Sequence, residues 1–268
     1  MVRQRFSVDK GWGAVLLACR NDILNDTEFE ARFREFLFGP FDVRWCFYRK
    51  NLLKTNSFSA GKHLCYGPNV ALVVMRQVSI DAPFTHAGVS RYIVNNRCFY
   101  STKGKASYFP RYLYSGESDL VREEGEFIGA NLRRDAARRF AKALDREWHE
   151  EEEGAGRDRL STVDLFNFAY SVLYSNSFRE RYGQFLRTDF PRVPPTSNLD
   201  LFRALARLGS ELVALHVMES PNLTSRMTTY HGPRNLEVSR VGGRLTANIP
   251  AGDHVSLTGT ARSATPAT

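Results

Sequence analysis

The positive charge of this chain is concentrated in one stretch, which limits how that stretch can fold. Residues 41 to 112 hold eleven basic side chains, namely Arg44, Arg49, Lys50, Lys54, Lys62, Arg76, Arg91, Arg97, Lys103, Lys105 and Arg111, opposed only by Asp42 and Asp81. The stretch is therefore +9 while the whole chain is +8, so the remainder is close to neutral. Aromatic residues are interleaved with the cations, among them Trp45, Tyr48, Tyr66, Tyr92, Phe99, Tyr100 and Tyr108. Unpaired charges are costly to bury, so the stretch is expected to fold with its cations on a rim around a core. The apolar run Val70 to Met75, and Tyr92 to Tyr100 around the turn-like Asn95-Asn96, predict strands. The expectation is a β-rich basic domain over 41–115. Its rim is either simply solvated or a face for a polyanion.

The flanking regions read differently. Residues 1–40 are expected to be an N-terminal helical connector. Its apolar run from Gly13 to Cys19 follows Arg3, Arg5 and Lys10, but it is too short for a membrane span and has no convincing cleavage site, so it reads as a core segment. Residues 116–160 predict a charged helical insertion, helical around Ala130 to Trp148, then an acidic linker at Glu150 to Glu153 before Gly154-Ala155-Gly156.

A three-helix module is predicted over 161–220. Ser161-Thr162-Val163-Asp164 offers a capping box, and Phe178, Tyr182, Phe185 and Leu186 suggest a second helix. Pro191, Pro194 and Pro195 break the pattern. Ser197-Asn198-Leu199-Asp200 then opens a third helix, in which Leu201, Leu205, Leu208, Leu212 and Leu215 recur in steps of four and three as the expected packing seam. Gly209 within it predicts close approach by another helix, and His216 reads as a satisfied boundary histidine. In 221–268 a hairpin is expected, Leu236 to Val241 with Arg244 to Ile249, followed from Ala251 by a frayed tail. The fold class is α+β.

With 268 residues and 43% apolar content the chain can bury a core, which excludes wholesale disorder. Cys19, Cys46, Cys65 and Cys98 are widely spaced and lack a C-x-x-C pair, as suits reduced thiols in a cytoplasmic protein and argues against zinc. A methyl-donor loop with Asp/Asn-Pro-Pro-aromatic is missing, Val193-Pro194-Pro195-Thr196 being a connector. Gly61-Lys62-His63 is not a phosphate loop, and no nucleophile elbow or nuclease acid triplet is visible. No catalytic residue, metal or cofactor is expected.

Three stretches together resemble the C-terminal specificity region of type I single-polypeptide (ISP) restriction-modification enzymes and related N6-adenine methyltransferase fusions. The first runs from Gly39-Pro40-Phe41-Asp42 through Val43-Arg44-Trp45-Cys46-Phe47-Tyr48, with glycine where the family usually has arginine. The second is Asp164 to Ser175, continuing through Phe178-Arg179-Glu180-Arg181-Tyr182. The third is Leu186-Arg187-Thr188-Asp189-Phe190-Pro191, leading to Leu208-Gly209-Ser210-Glu211. The order holds over about residues 27 to 220. The resemblance implies a target-recognition domain of a phage-defence system, which normally follows a methyltransferase domain and, upstream of that, helicase and nuclease domains. Those domains or subunits and double-stranded DNA are the implied partners, with no membrane. The family continues beyond the Leu236 to Ile249 region, so a truncated, frame-shifted or divergent stand-alone copy is expected.

On this reading Arg44, Arg49, Lys50, Lys54, Lys62, Lys103 and Lys105 hold phosphates. Arg76, Gln77, Arg91, Asn95, Asn96 and Arg97 have the chemistry to read base edges. Arg44 and Trp45 also admit a structural role as a stacked pair at the domain entrance, favoured for Trp45. The alternatives are a scaffold subunit docking a separate catalytic chain, and a single-strand binder that stacks bases on the interleaved rings. Because the catalytic motifs are missing, the isolated chain is expected neither to hydrolyse ATP, cut DNA nor transfer a methyl group. Any of these reactions in a clean preparation, abolished by a substitution in this chain, contradicts that expectation.

Overall fold

A computed structural model of the chain describes residues 21, 23–49, 52, 55–79, 83–99, 101, 103–116, 122–123, 125–150 and 158–224, and short strands within 228–257. The chain divides into two units, Met1–Val217 and Met218–Thr268. Helices and small sheets are mixed throughout, which is the expected α+β class. The Gly13 to Cys19 segment lies outside the described residues.

In the first unit, strand β1 (Phe33–Gly39) pairs antiparallel with β2 (Asp42–Phe47) and parallel with the short β5 (Ile93–Val94). Residues Phe33 to Gly39 therefore form a strand where a helical connector is expected. Its partners explain why, since Phe33, Glu35 and Leu37 meet Phe47, Trp45 and Val43 of β2, and Phe36 and Leu37 pair with Ile93 and Val94 of β5. The Tyr92 to Tyr100 stretch contributes only Ile93–Val94 as strand, because Asn95 and Asn96 open a turn in which Cys98 N–H donates to the Asn95 carbonyl.

A second sheet has the order β4 (Ala87–Ser90), β3 (Ala71–Met75), β6 (Ala106–Pro110). As its central strand, β3 is buried on both faces, which is why it reads as a continuous apolar run. Val73 packs with Leu37, Val94 and Cys98. On the opposite face Leu72 and Val74 meet Phe84, Ala87, Leu173 and Leu186. Strands β7 (Tyr112–Tyr114) and β8 (Phe127–Ala130) pair antiparallel, and β9 (Glu147–His149) pairs parallel with β10 (Arg159–Ser161).

Of the described helices in this unit, α1 (Thr55–Cys65) precedes β3, and α2 (Arg134–Ala143) occupies only part of the helical insertion, between β8 and β9. Helix α3 (Thr162–Tyr174) starts on the expected capping box, with Ser161 accepting from Asp164 N–H and the Asp164 carboxylate accepting from Ser161 N–H. Ser175 ends α3 and caps α4 (Asn176–Leu186), accepting from Phe178 N–H. After the prolines, Asn198 caps α5 (Leu199–His216). Leu173 of α3 and Leu186 of α4 lie in the same cluster as Val74, so the β region and the helical module share a core.

The seam of α5 is only partly the leucine stripe, since Leu205 and Leu212 pack half-buried against the core clusters. Phe202, Ala206 and Gly209 are its buried residues, whereas Leu201 and Leu208 are exposed. The cause is at Gly209, where any added Cβ would collide with the backbone of Asn167 on α3. That close approach turns the Phe202 side inward, against Phe168 at 4.9 Å and Phe140 of α2 at 5.8 Å.

In the second unit, β12 (Val238–Val241) and β13 (Arg244–Ala247) form the expected hairpin. Strand β14 (His254–Leu257) pairs with β11 (Thr228–His231), so part of the segment expected to fray is a strand. Backbone pairing with β11 supplies the order that its weak apolar pattern does not signal. Among the described residues no helix is long and apolar enough to cross a membrane.

Phe202→Ala is expected to destabilise by about 3 to 5 kcal/mol, whereas Leu208→Ala should stay within about 0.5 kcal/mol. Gly209→Ala should cost more than Leu208→Ala despite adding one methyl group. Urea unfolding of the three variants checks this order, and a large loss for Leu208→Ala would return the seam to the leucines.

Candidate nucleic-acid interface

The structure gathers one subset of the basic and polar residues. Ser101 is buried, and its hydroxyl accepts from the backbone N–H of Ser79 and of Lys103. Its carbonyl accepts from Arg97 Nη1 at 3.4 Å. Gly104, at φ 74°, lies so close to the Gln77 carbonyl that a side chain there would collide with it. These links bring Gln77, Arg97 and Lys103 to one edge, with Arg76 and Lys105 next to them in the chain. All five side chains are exposed. Arg76 forms an ion pair with Asp189 at 3.1 Å. The Asp189 carboxyl is held below its ordinary pKa first by the Phe190 N–H and then by Arg76.

Asn95 and Asn96 shape the turn leading to this edge. Asn95 Oδ1 accepts from Arg97 N–H at 3.1 Å, and the Asn96 carbonyl accepts from Ala106 N–H. Arg91 is half-buried and donates to the Asn69 carbonyl at 3.2 Å. Asn69 is itself buried, joining His63 and Tyr112 through its amide. Arg49 pairs with buried Asp26 at 2.8 Å. Lys62 lies half-buried on α1, and Lys50 and Lys54 lie outside the described residues.

Arg44 stands on the β1–β2 hairpin, stacked over Phe38 at 3.8 Å and bound through two nitrogens to Asp42, whose carboxyl it holds below the usual range. Trp45 is 67% exposed, so it is not the expected stacked partner at a domain entrance. Side chains alternate along β2, which puts Trp45 on the face opposite Arg44, and Phe38 takes the guanidinium instead.

A regional charge count overlooks α2. Arg134, Arg138 and Lys142 lie one turn apart at spacings of four, all exposed; Arg134 pairs with Glu150 at 3.1 Å, and Arg133 and Arg139 both pair with Asp135. Neighbouring acids cancel them in the sum, but the spacing of four was visible in the sequence. Elsewhere burial pushes the thiols of Cys65 and Cys98 up to about 11, which disfavours the thiolate at both.

A family model for the Type ISP C-terminal specificity domain matches residues 13–247. The chain belongs to that family. Two solved structures share the fold of this specificity domain. The cryoEM structure of a DrdV–DNA complex aligns with a TM-score of 0.58 and 21% identity, covering 87% of this chain and 20% of that one. The ATP-dependent Type ISP restriction-modification enzyme LlaBIII bound to DNA aligns at 0.55 and 17%, covering 78% and 12%. The specificity domain thus spans a fifth or less of each of those chains. No curated protein sequence matches it.

His63, on α1 beside the Lys62 of the basic set, is the clearest acid-sensitive point of this framework. Its Nδ1 accepts from Tyr114 N–H at 2.9 Å, and burial followed by the nearby Lys62 charge lowers its pKa from 6.5 to about 4. A histidine depressed on folding contributes stability in full above its unfolded pKa, and loses it as pH falls through the folded one. The domain is therefore expected to lose stability between about pH 6.5 and about 4, less steeply in His63→Gln. Urea midpoints across that range check it, and an unchanged slope in the variant contradicts it.

Proposed function

We propose that this chain recognises a sequence in double-stranded DNA as the specificity part of a restriction-modification system, and supplies no catalysis itself. The observation that carries the reading is the exposed edge of Gln77, Arg97, Lys103 and Lys105, assembled on Ser101 and Gly104 in a chain of the specificity-domain family. Cations alone would give salt-sensitive, sequence-blind binding. Here an amide and a guanidinium stand beside the lysines, and these are the groups that pair bidentately with adenine and guanine in the major groove. Lys103 and Lys105 hold phosphates and set the register. Arg97 and Gln77 read base edges, with Arg76, Asn95 and Asn96 adjoining. Arg91 and Arg49, engaged with Asn69 and Asp26, belong to the framework.

The methyltransferase, helicase and nuclease domains or subunits of such a system are the proposed protein partners, and the cytoplasm is the proposed location. The helical module, which shares a core with the β region, holds the reading edge in place.

Replacing Lys103 and Lys105 should weaken binding to every duplex about equally and flatten the log-log salt dependence by about 0.9 for each phosphate that is no longer neutralised. Arg97→Ala should cost about 1 to 3 kcal/mol on a site selected from random duplexes and much less on unselected DNA. Fluorescence anisotropy over a salt series measures both. Equal effects of the two sets on both duplexes would reduce the edge to a sticky surface, and preference for single strands in competition would favour a stacking mode instead.

A further inference from the structure

A cleft of about 250 Å3 opens between the tip of the β1–β2 hairpin and the C-terminal end of α5, lined by Phe41, Thr85, Phe99, Tyr170, Tyr174 and His216. It is smaller than the roughly 300 to 1,000 Å3 usual for drug-sized ligands, so it suits a group of one or two rings. Its lining combines a cluster of rings, His216 lying 4.7 Å from Tyr174 and 6.2 Å from Phe41, with aliphatic side chains such as Leu37 and Val89. Phe41 stands at the rim 63% exposed, with φ at 63°, a conformation that a bulky residue rarely adopts. Strain of this kind persists where surrounding structure holds it, often at ligand clamps.

The polar atoms narrow the choice of occupant. Tyr170 is fully buried, and its hydroxyl lies 2.6 Å from His216 Nδ1. Were the imidazole to donate, the phenolic proton would have no acceptor among the described residues. Tyr170 therefore donates, and His216 carries its proton on Nε2, the one polar hydrogen its ring can offer the cleft. Tyr174 Oη has no hydrogen-bond partner among the described residues. An apolar side chain filling the cleft would leave these groups unpaired.

Arg179 argues against a cation. Its guanidinium lies 4.4 Å from the Tyr174 ring, its Nε donates to the Leu173 carbonyl at 2.7 Å, and its buried Nη2 has no hydrogen-bond partner. No carboxylate among the described residues pairs with it. Its positive charge behind the aromatic wall repels an ammonium group, which such walls would otherwise attract, and favours an electron-rich acceptor.

We propose that this cleft receives a single unstacked nucleobase, its ring against Phe41, Tyr174 and His216 and one of its acceptor atoms taking the His216 Nε2 proton. The inference rests on the DNA-binding reading and adds a site separate from the Gln77 to Lys105 edge. Extruding a base from a duplex costs unstacking and unpairing energy, least for a base already outside the stack.

The test compares the full chain's affinity for a duplex carrying a one-nucleotide bulge, with each of the four bases bulged in turn, and for the fully paired duplex. At least one bulged duplex should bind about tenfold more tightly or better. Phe41→Gly, which removes the ring and suits the left-handed backbone, and Thr85→Trp, which obstructs the rim, should each abolish that preference and leave paired-duplex affinity unchanged. No bulge preference, or one that survives both variants, overturns the proposal while the DNA reading stands. Saturable binding of free nucleosides without any bulge preference would assign the cleft to a free base and overturn the extruded one. Failure to bind either duplex defeats the DNA reading, and the proposal with it.

Discussion

The close crossing of α3 and α5 at Gly209 fixes more of this molecule than any other contact. With no side chain at Gly209, α5 lies directly on the Asn167 backbone, and the rotation of α5 about its axis is then determined. That rotation turns Phe202 and Ala206 inward and leaves Leu201 and Leu208 in solvent. One turn beyond Val213, it sets His216 against Tyr170 and Tyr174, so the same crossing builds the cleft under the hairpin tip. Since α3 also carries Leu173 into the core under β3, the β region is referenced to the crossing as well.

Much of the fold was legible where local chemistry decides it. Ser161 with Asp164, the apolar run of β3 and the prolines after α4 each point to a single structure whatever the surroundings. The α5 seam was not legible in the same way. The leucines fit a heptad, whereas Phe202, Ala206, Gly209 and Val213 fit a packing face whose small members signal nearness rather than hydrophobicity. Counting leucines alone shifts the seam toward Leu201 and Leu208 when the closest contact is made by a glycine. Strand β1 was missed for a related reason: a short segment rich in phenylalanine is defined by its partners β2 and β5 more than by its own pattern.

The site was legible as a region and not as a set of side chains. Residue type alone cannot separate half-buried Arg91 from exposed Arg97, both of which donate to a backbone carbonyl, nor Arg49, paired with an aspartate 23 residues earlier, from Lys103. The Arg44–Asp42 pair is the exception, because a spacing of two in a strand places both on one face. Net charge by region misled in the opposite direction at α2, since a sum discards the spacing of four that lines up Arg134, Arg138 and Lys142.

The edge proposed to read DNA is tied to the helical module. Val78 follows Gln77 directly, is 2% exposed, lies in the cluster with Leu173 and Leu186, and donates its N–H to the Arg187 carbonyl at 3.0 Å. The loop is thereby tied at one side to the C-terminal end of α4 and at the other, through Ser101 and Gly104, to the Asn95–Ala106 turn. Groups that must meet base edges within a few tenths of an ångström lose less entropy on binding when such ties already hold them. On the proposed reading the helical module contributes to discrimination through these ties, and helix contacts that look purely structural sharpen how the edge chooses between sequences.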